Sequence, residues 1–328
     1  MNTFTKKKII LIVLSLILFM DDKSINYNNK SADEFLKLYN VTKNIECLDY
    51  PYPENLGNAL LILNNLINIC ENIKCRYISV PGGLQAIIKK QICYREYNMH
   101  ILPFHYKKRR KINKCIKVGF ETFLFRYTNK IHKIRMSILK NEILSNLPRY
   151  KASPFDLYIH IRSGDIFTTN IHRNYSQPPL CFYQKIINEN NYKNIYLMSN
   201  GHENPIVDKL LYLYPKIKFI HGSPIDAASI LVNIYNLILP VSTFSYTLIR
   251  LNNNLRNIYI YDILVDIEKN WFYGTDYYFQ FDNFSIYQMK PSNKYQIIMK
   301  GKWNNTKEQL NLMINENCIN SRLFKINN

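Results

Sequence analysis

The chain has 328 residues, 47% of them hydrophobic and 20% charged, with 43 Lys and Arg against 24 Asp and Glu, a formal charge of +19. That length suits two ordinary domains or one large one, and so much apolar side chain excludes wholesale disorder. The charge either favours an anionic partner (nucleic acid, a phosphorylated small molecule or an anionic membrane surface) or reflects a chain crowded with Asn, Lys, Ile and Tyr.

At the amino terminus Lys6, Lys7 and Lys8 precede an uncharged apolar run from Ile9 to Met20, closed by Asp21 and Asp22. At ~1.5 Å per residue the run covers about 18 Å, short of a ~30 Å hydrocarbon core. A basic flank before a short apolar stretch is the pattern of a signal peptide. No small-x-small cleavage site follows it, so a short uncleaved signal-anchor with a cytosolic amino terminus is the alternative. Residues 1–22 are therefore read as leader or anchor and 23–35 as a polar stem. Sequons at Asn29, Asn40, Asn174, Asn283 and Asn304 fit lumenal exposure. The expected location is the secretory pathway: the ER or Golgi membrane with a lumenal catalytic part, or the cell exterior if the leader is removed.

Residues 36–150 read as an amino-terminal α/β domain. The stretch 56–70 has the length and apolarity of a helix, and 75–80 reads as a strand ending at Pro81, Gly82 and Gly83. After His100 and His105, the basic cluster 107–111 reads as a solvated connection, and 120–147 as a basic helix running to Pro148. The cluster lacks interleaved stacking aromatics and a recognisable module, so nucleic acid is not expected as a partner.

Residues 151–328 form the second expected domain, and 156–262 are its most regular part. Strands are predicted at 157–161, 195–198, 217–220, 237–239 and 258–261, with helices at 178–188, 205–214, 226–235 and 244–251 between them. Single helices between strands imply parallel crossovers and a doubly wound sheet. Such sheets bind ligands outside the carboxyl ends of their strands. Here those ends carry Arg162-Ser163-Gly164-Asp165, Ser199-Asn200-Gly201, His221-Gly222-Ser223 and Ser242-Thr243-Phe244-Ser245. Small hydroxyls, backbone amides and one fixed cation suit a phosphorylated ligand. Ordinary turn chemistry would explain any one of these turns alone.

Seven cysteines (Cys47, Cys70, Cys75, Cys93, Cys115, Cys181 and Cys318) contain no C-x-x-C and no zinc-type pairing with His, so no metal is expected. Cys70, Cys75 and Cys93 either contribute to a disulfide or stay as buried thiols. Only nine glycines survive, far below the usual ~7%, so each is a candidate for a position where a Cβ does not fit. No G-x-G-x-x-G, P-loop or G-x-S-x-G motif is present, which removes dinucleotide, P-loop and α/β-hydrolase readings.

The run His160-Ile161-Arg162-Ser163-Gly164-Asp165 resembles the H-x-R-x-G-D motif of the GDP-fucose-dependent α-1,2, α-1,6 and protein O-fucosyltransferase superfamily. Asn55-Leu56-Gly57-Asn58 is similar to its G-L-G-N element, with Asn55 in place of the first glycine. Ser242-Thr243-Phe244-Ser245 is similar to its S-T-F-S element, though Tyr246-Thr247 follows where the α-1,2 branch has aromatics. The resemblance covers residues 55–262 as islands.

It implies a GT-B architecture, two facing Rossmann-like domains, the carboxyl-terminal one holding the donor and residues 36–150 the acceptor side. It also implies inverting, metal-independent transfer of fucose from GDP-fucose to a glycan acceptor, with no cofactor. Arg162 would stabilise the departing GDP, because a planar guanidinium follows phosphate charge bidentately. Ser242, Thr243 and Ser245 would hold phosphate or ribose. His160 would line the donor pocket or sit as a core histidine, and Gly164 belongs to the same motif. Asp165 would orient Arg162 or cap the turn. Asp226 would accept from guanine or cap a helix, and Gly57 and Asn58 would approach the donor from the facing domain. The loop carrying His172, Tyr175 and Gln177-Pro178-Pro179 would face the acceptor. The alternatives are another sugar-nucleotide transferase, or an inactive carbohydrate-binding protein on the same fold.

Overall fold

The structure is a computed structural model that describes residues 45–51, 55–80, 82–94, 98–103, 115–118, 140–168, 175–263 and 284–326, with positions 37, 39, 112, 171 and 173. The leader, the stem, the 107–111 cluster, His105, His172 and the sequons at Asn29, Asn40, Asn174 and Asn283 lie outside the described residues. Of the basic helix expected over 120–147, residues 140–147 are described, and 140–146 are helical.

The amino-terminal half builds a mixed five-stranded sheet from β1 (Cys47–Asp49), β2 (Tyr77–Ser79), β3 (Ile92–Tyr94), β4 (Met99–Leu102) and β5 (Cys115–Lys117), in the order β3-β4-β2-β1-β5. All its pairings are parallel except β3 with β4. Helix α1 (Leu56–Ile73) makes the crossover from β1 to β2. Leu56, Ala59, Leu60, Leu63, Leu66, Ile67 and Cys70 recur at helical spacing and are all buried, which is why this stretch folds as an amphipathic helix. It ends at Lys74 in the left-handed region, φ 58°, whose N–H returns to the last turn.

The carboxyl-terminal half is a seven-stranded sheet of order β12-β11-β10-β9-β6-β7-β8. Its strands are β6 (Asp156–Ile161), β7 (Asn194–Ser199), β8 (Ile217–Ile220), β9 (Asn236–Ile238), β10 (Asn257–Tyr261), β11 (Ser285–Met289) and β12 (Leu323–Ile326). Every pairing is parallel except β11 with the edge strand β12. Between the strands lie α2 (Leu180–Glu189), α3 (Pro205–Leu213), α4 (Pro224–Leu231) and α5 (Thr243–Ile249), then α6 (Asn293–Met299) and α7 (Lys307–Asn315) near the end. The five strands expected between 157 and 261 form. Helix α4 starts and ends earlier than its expected 226–235, because Ser223 caps it and Pro224 opens it.

Alternation along β6 shows how the sheet is covered. Leu157, Ile159 and Ile161 pack with α2, α3, α6 and α7 on one face, and Tyr158 packs on the other with α4 and α5. That second face shares one apolar cluster with α1 and the five-stranded sheet, so the two halves meet through the α1–α5 layer.

The cysteines meet the expectation in part. Cys70 and Cys75 pair with each other, Cys47–Cys115 and Cys181–Cys318 are further disulfides, and Cys93 is neither paired nor buried but an exposed free thiol on edge strand β3. Among the described residues no helix is long and apolar enough to cross a membrane.

Candidate functional site

The carboxyl ends of β6, β7, β8 and β9 converge on a cleft of about 540 Å³, a size usual for small-molecule sites. Arg162, Asp165, Asn200, Gly222 and Ser242 line it from the seven-stranded sheet, and Asn55 and Leu56 close it from the start of α1. All four turns singled out in the sequence therefore reach one cavity, at the junction of the two halves.

The 162–165 turn is held in place from behind. Ser163 is fully buried; its N–H donates to Asn200 Oδ1 at 3.0 Å, and its hydroxyl donates to Glu203 Oε2 at 2.9 Å. Gly164 N–H donates to the same carboxylate oxygen at 2.9 Å, the Asn204 N–H to Ser163 Oγ at 2.8 Å, and Asn204 Nδ2 to the Arg162 carbonyl at 3.0 Å. These bonds, each worth about 0.5–1.5 kcal/mol net, tie the turn after β6 to the turn after β7. The Glu203 carboxyl is held below its ordinary range by a hydrogen bond from its own backbone N–H and then by that from Ser163. Gly164 sits at φ +66°, and a Cβ there would lie 2.6 Å from Asn200 Nδ2, so any other residue would strain the turn and displace Asn200.

A 3-10 turn, Gly164–Phe167, follows and is braced by the carboxyl-terminal segment. Trp303 donates its indole N–H to the Ile166 carbonyl at 3.0 Å and meets Phe167 edge to face at 5.1 Å, while Asn305 donates to the Phe167 carbonyl. Glu203, Asn204, Trp303 and Asn305 all lie outside the motif islands. Trp303, one of only two tryptophans, carried the one compositional hint.

With its backbone fixed, Arg162 presents its guanidinium to the cleft. Nη2 donates to both Asp165 carboxylate oxygens, at 3.1 and 3.2 Å, and the guanidinium lies 5.3 Å from the Tyr175 ring centroid. Its side chain remains 18% exposed, and Nε is buried with no hydrogen-bond partner among the described residues. Asp165 thus orients Arg162, the first of the two roles expected of it, and keeps the cation at the cleft wall. A buried donor without a partner is costly unless a ligand supplies an acceptor.

The Ser242–Ser245 turn is used differently. Thr243 Oγ1 donates to Asn58 Oδ1 at 2.9 Å, and Ser245 Oγ is hydrogen-bonded to His160 Nδ1. Both hydroxyls are engaged by protein partners, and neither residue lines the cleft. From this turn Ser242 and Phe244 line the cleft, and Ser242 Oγ is buried with no hydrogen-bond partner among the described residues. His160 lines the cleft too, edge-on to Phe244 at 6.0 Å. Burial, then the neighbouring Arg162 charge, pushes its imidazole down to about 3, so it is neutral near pH 7.

Gly57 and Asn58 do not line the cleft. They join the halves: a Cβ on Gly57 would lie 2.5 Å from the Phe244 Cα and 2.7 Å from its N, so α1 approaches α5 backbone to backbone. Asp226 is likewise outside the cleft. It is the third residue of a capping box, accepting from Ser223 N–H at 2.9 Å and from Ser223 Oγ at 2.8 Å, which lowers its carboxyl pKa. These bonds make it part of the helix cap, one of the two roles expected of it. Tyr175 reaches Arg162, whereas Gln177 is fully buried and its carbonyl accepts from Tyr295, so it does not face an acceptor. Among the described residues no three His, Cys, Asp or Glu side chains group as metal ligands. No family model, no curated protein and no solved structure matches this chain.

Proposed function

We propose that this protein is a GT-B-type glycosyltransferase of the secretory pathway that moves fucose from GDP-fucose to a glycan acceptor, with inversion and without a metal. The observation that carries the reading is Arg162: an oriented guanidinium with a buried, unpartnered Nε, set in a cleft where four strand ends and the start of α1 meet. As the acceptor oxygen bonds to C1 of the sugar, the C1–O bond to the β-phosphate breaks and negative charge collects on the leaving diphosphate. Arg162 is placed to receive that charge, supplying the positive field that a divalent cation provides in other transferases. A unit-charge contact at ~4 Å and effective dielectric ~20 is worth about 4 kcal/mol before desolvation. Ser242 Oγ offers a hydroxyl to the same diphosphate or to the ribose. The acceptor hydroxyl loses its proton to a general base; Asp165 is paired with Arg162. The three disulfides support an oxidising compartment.

Isothermal titration with GDP, UDP and CMP tests this reading. GDP is expected to bind about tenfold or more tighter than UDP, a difference of ~1.4 kcal/mol, and CMP weakest. Absence of binding by all three overturns it. Preference for UDP moves the protein to another sugar-nucleotide class, and GDP binding without turnover on any glycan makes it an inactive relative of such enzymes.

A further inference from the structure

Two adjacent asparagines after Trp303 are used in opposite ways. Trp303 is 2% exposed and anchors the chain inward, its backbone N–H on the Arg173 carbonyl at 3.0 Å and its indole on Ile166. Asn305 also turns inward: it adopts the left-handed region at φ 53° and donates its side-chain amide to Phe167. Asn304, between them, is exposed, and only its backbone is engaged, the N–H donating to Gln309 Oε1 at 2.9 Å. Its carboxamide has no partner among the described residues. Thr306, also exposed, caps α7 by accepting from Gln309 N–H at 3.2 Å. Asn304-Asn305-Thr306 is an N-x-T sequon, and the fold leaves its acceptor amide in solvent while Trp303 is buried and the half-buried Asn305 is turned inward.

From this geometry we infer that Asn304 is an N-glycosylation site, carrying an oligosaccharide on the carboxyl-terminal segment at a residue that does not line the cleft. The inference rests on the secretory reading above, because the co-reactant, a lipid-diphosphate-linked oligosaccharide, meets the chain only there. In the transfer the Asn304 amide nitrogen bonds to C1 of the oligosaccharide. The C1–O bond breaks, the lipid diphosphate leaves with its electron pair, and one amide proton passes to a base of the transferring enzyme; nothing is oxidised or reduced. The folded protein gives up no hydrogen bond to accommodate the sugar, since the Asn304 backbone N–H, the Asn305 amide and the Thr306 cap are all untouched.

The test is expression of the full chain with its own amino terminus in eukaryotic cells. Peptide-N-glycosidase treatment in heavy-oxygen water then converts each occupied Asn to labelled Asp for mass spectrometry. Label at Asn304 is expected, with a one-glycan mobility shift that Asn304→Gln abolishes and Thr306→Ser retains. Label at other sequons with none at Asn304 overturns the site and leaves the secretory reading standing. A chain with no label at any sequon overturns both. Loss of the shift in Thr306→Ser would also count against the site, because that variant keeps both sequon and cap.

Discussion

The turns after β6 and β9 are made of similar small polar residues, yet they serve the cleft in different ways. In the first, 162–165, neighbouring loops satisfy the backbone and Ser163, which leaves Arg162 and Asp165 pointing into the cavity. In the second, 242–245, Thr243 and Ser245 are themselves the braces, one to Asn58 across the junction of the halves and one to His160. Only Ser242 is left over. A motif hydroxyl can donate to a ligand only if its proton is not already given to a protein partner, and that is decided by neighbours distant in sequence.

Breaking the first turn should cost most. Arg162→Ala is expected to cut turnover at least about a hundredfold, ~2.7 kcal/mol of transition-state stabilisation, with little change in thermal unfolding. Arg162→Lys should recover little of it, since an ammonium lacks the planar fork. Near wild-type turnover in either variant removes Arg162 from catalysis. Gly57→Ala strikes the second turn at its junction with α1, where the new Cβ meets backbone. About 1–3 kcal/mol should be lost in denaturant unfolding, together with weaker nucleotide binding. Unchanged stability there would mean that the halves are not in close contact at this point.

The brace between the turns gives a smaller, pH-dependent effect. His160 binds its proton at about 3 when folded against an ordinary 6.5. The stability tied to its neutral form is complete above 6.5 and is lost as pH falls from 6.5 through 3. Melting temperature of the wild type should therefore fall more steeply than that of His160→Asn across this window. Parallel profiles would place His160 in water. Smallest of all is Asp226→Asn, which leaves nucleotide affinity unchanged and slightly lowers the melting temperature at neutral pH. That difference should fade as acid titrates the depressed carboxylate, because Asp226 belongs to the α4 cap and to neither turn. A large loss of GDP affinity in this variant would restore Asp226 to the cleft.

The two halves of the chain were unequally legible. Each central strand of the seven-stranded sheet is a β-rich apolar run followed by a short polar turn and a helix, a pattern that survives without neighbours. In the other half β1, β3 and β5 have three residues each, too few to display an alternation, and they exist because they pair. The same holds for the cysteines. Cys47 and Cys115 face one another because β1 and β5 are in parallel register, and no spacing along the chain announces that.

The order of strands and helices in the second half, the position of its turns at the carboxyl ends of the strands, and the charge of Arg162 follow from local sequence, because backbone propensity and burial pattern act over a few residues. Which atoms of those turns remain free, the close approach at Gly57, the neutral state of His160 and the disulfide partners were decided only by the tertiary structure. Hydrogen-bond satisfaction and desolvation depend on what is packed nearby, and the chain order does not state it.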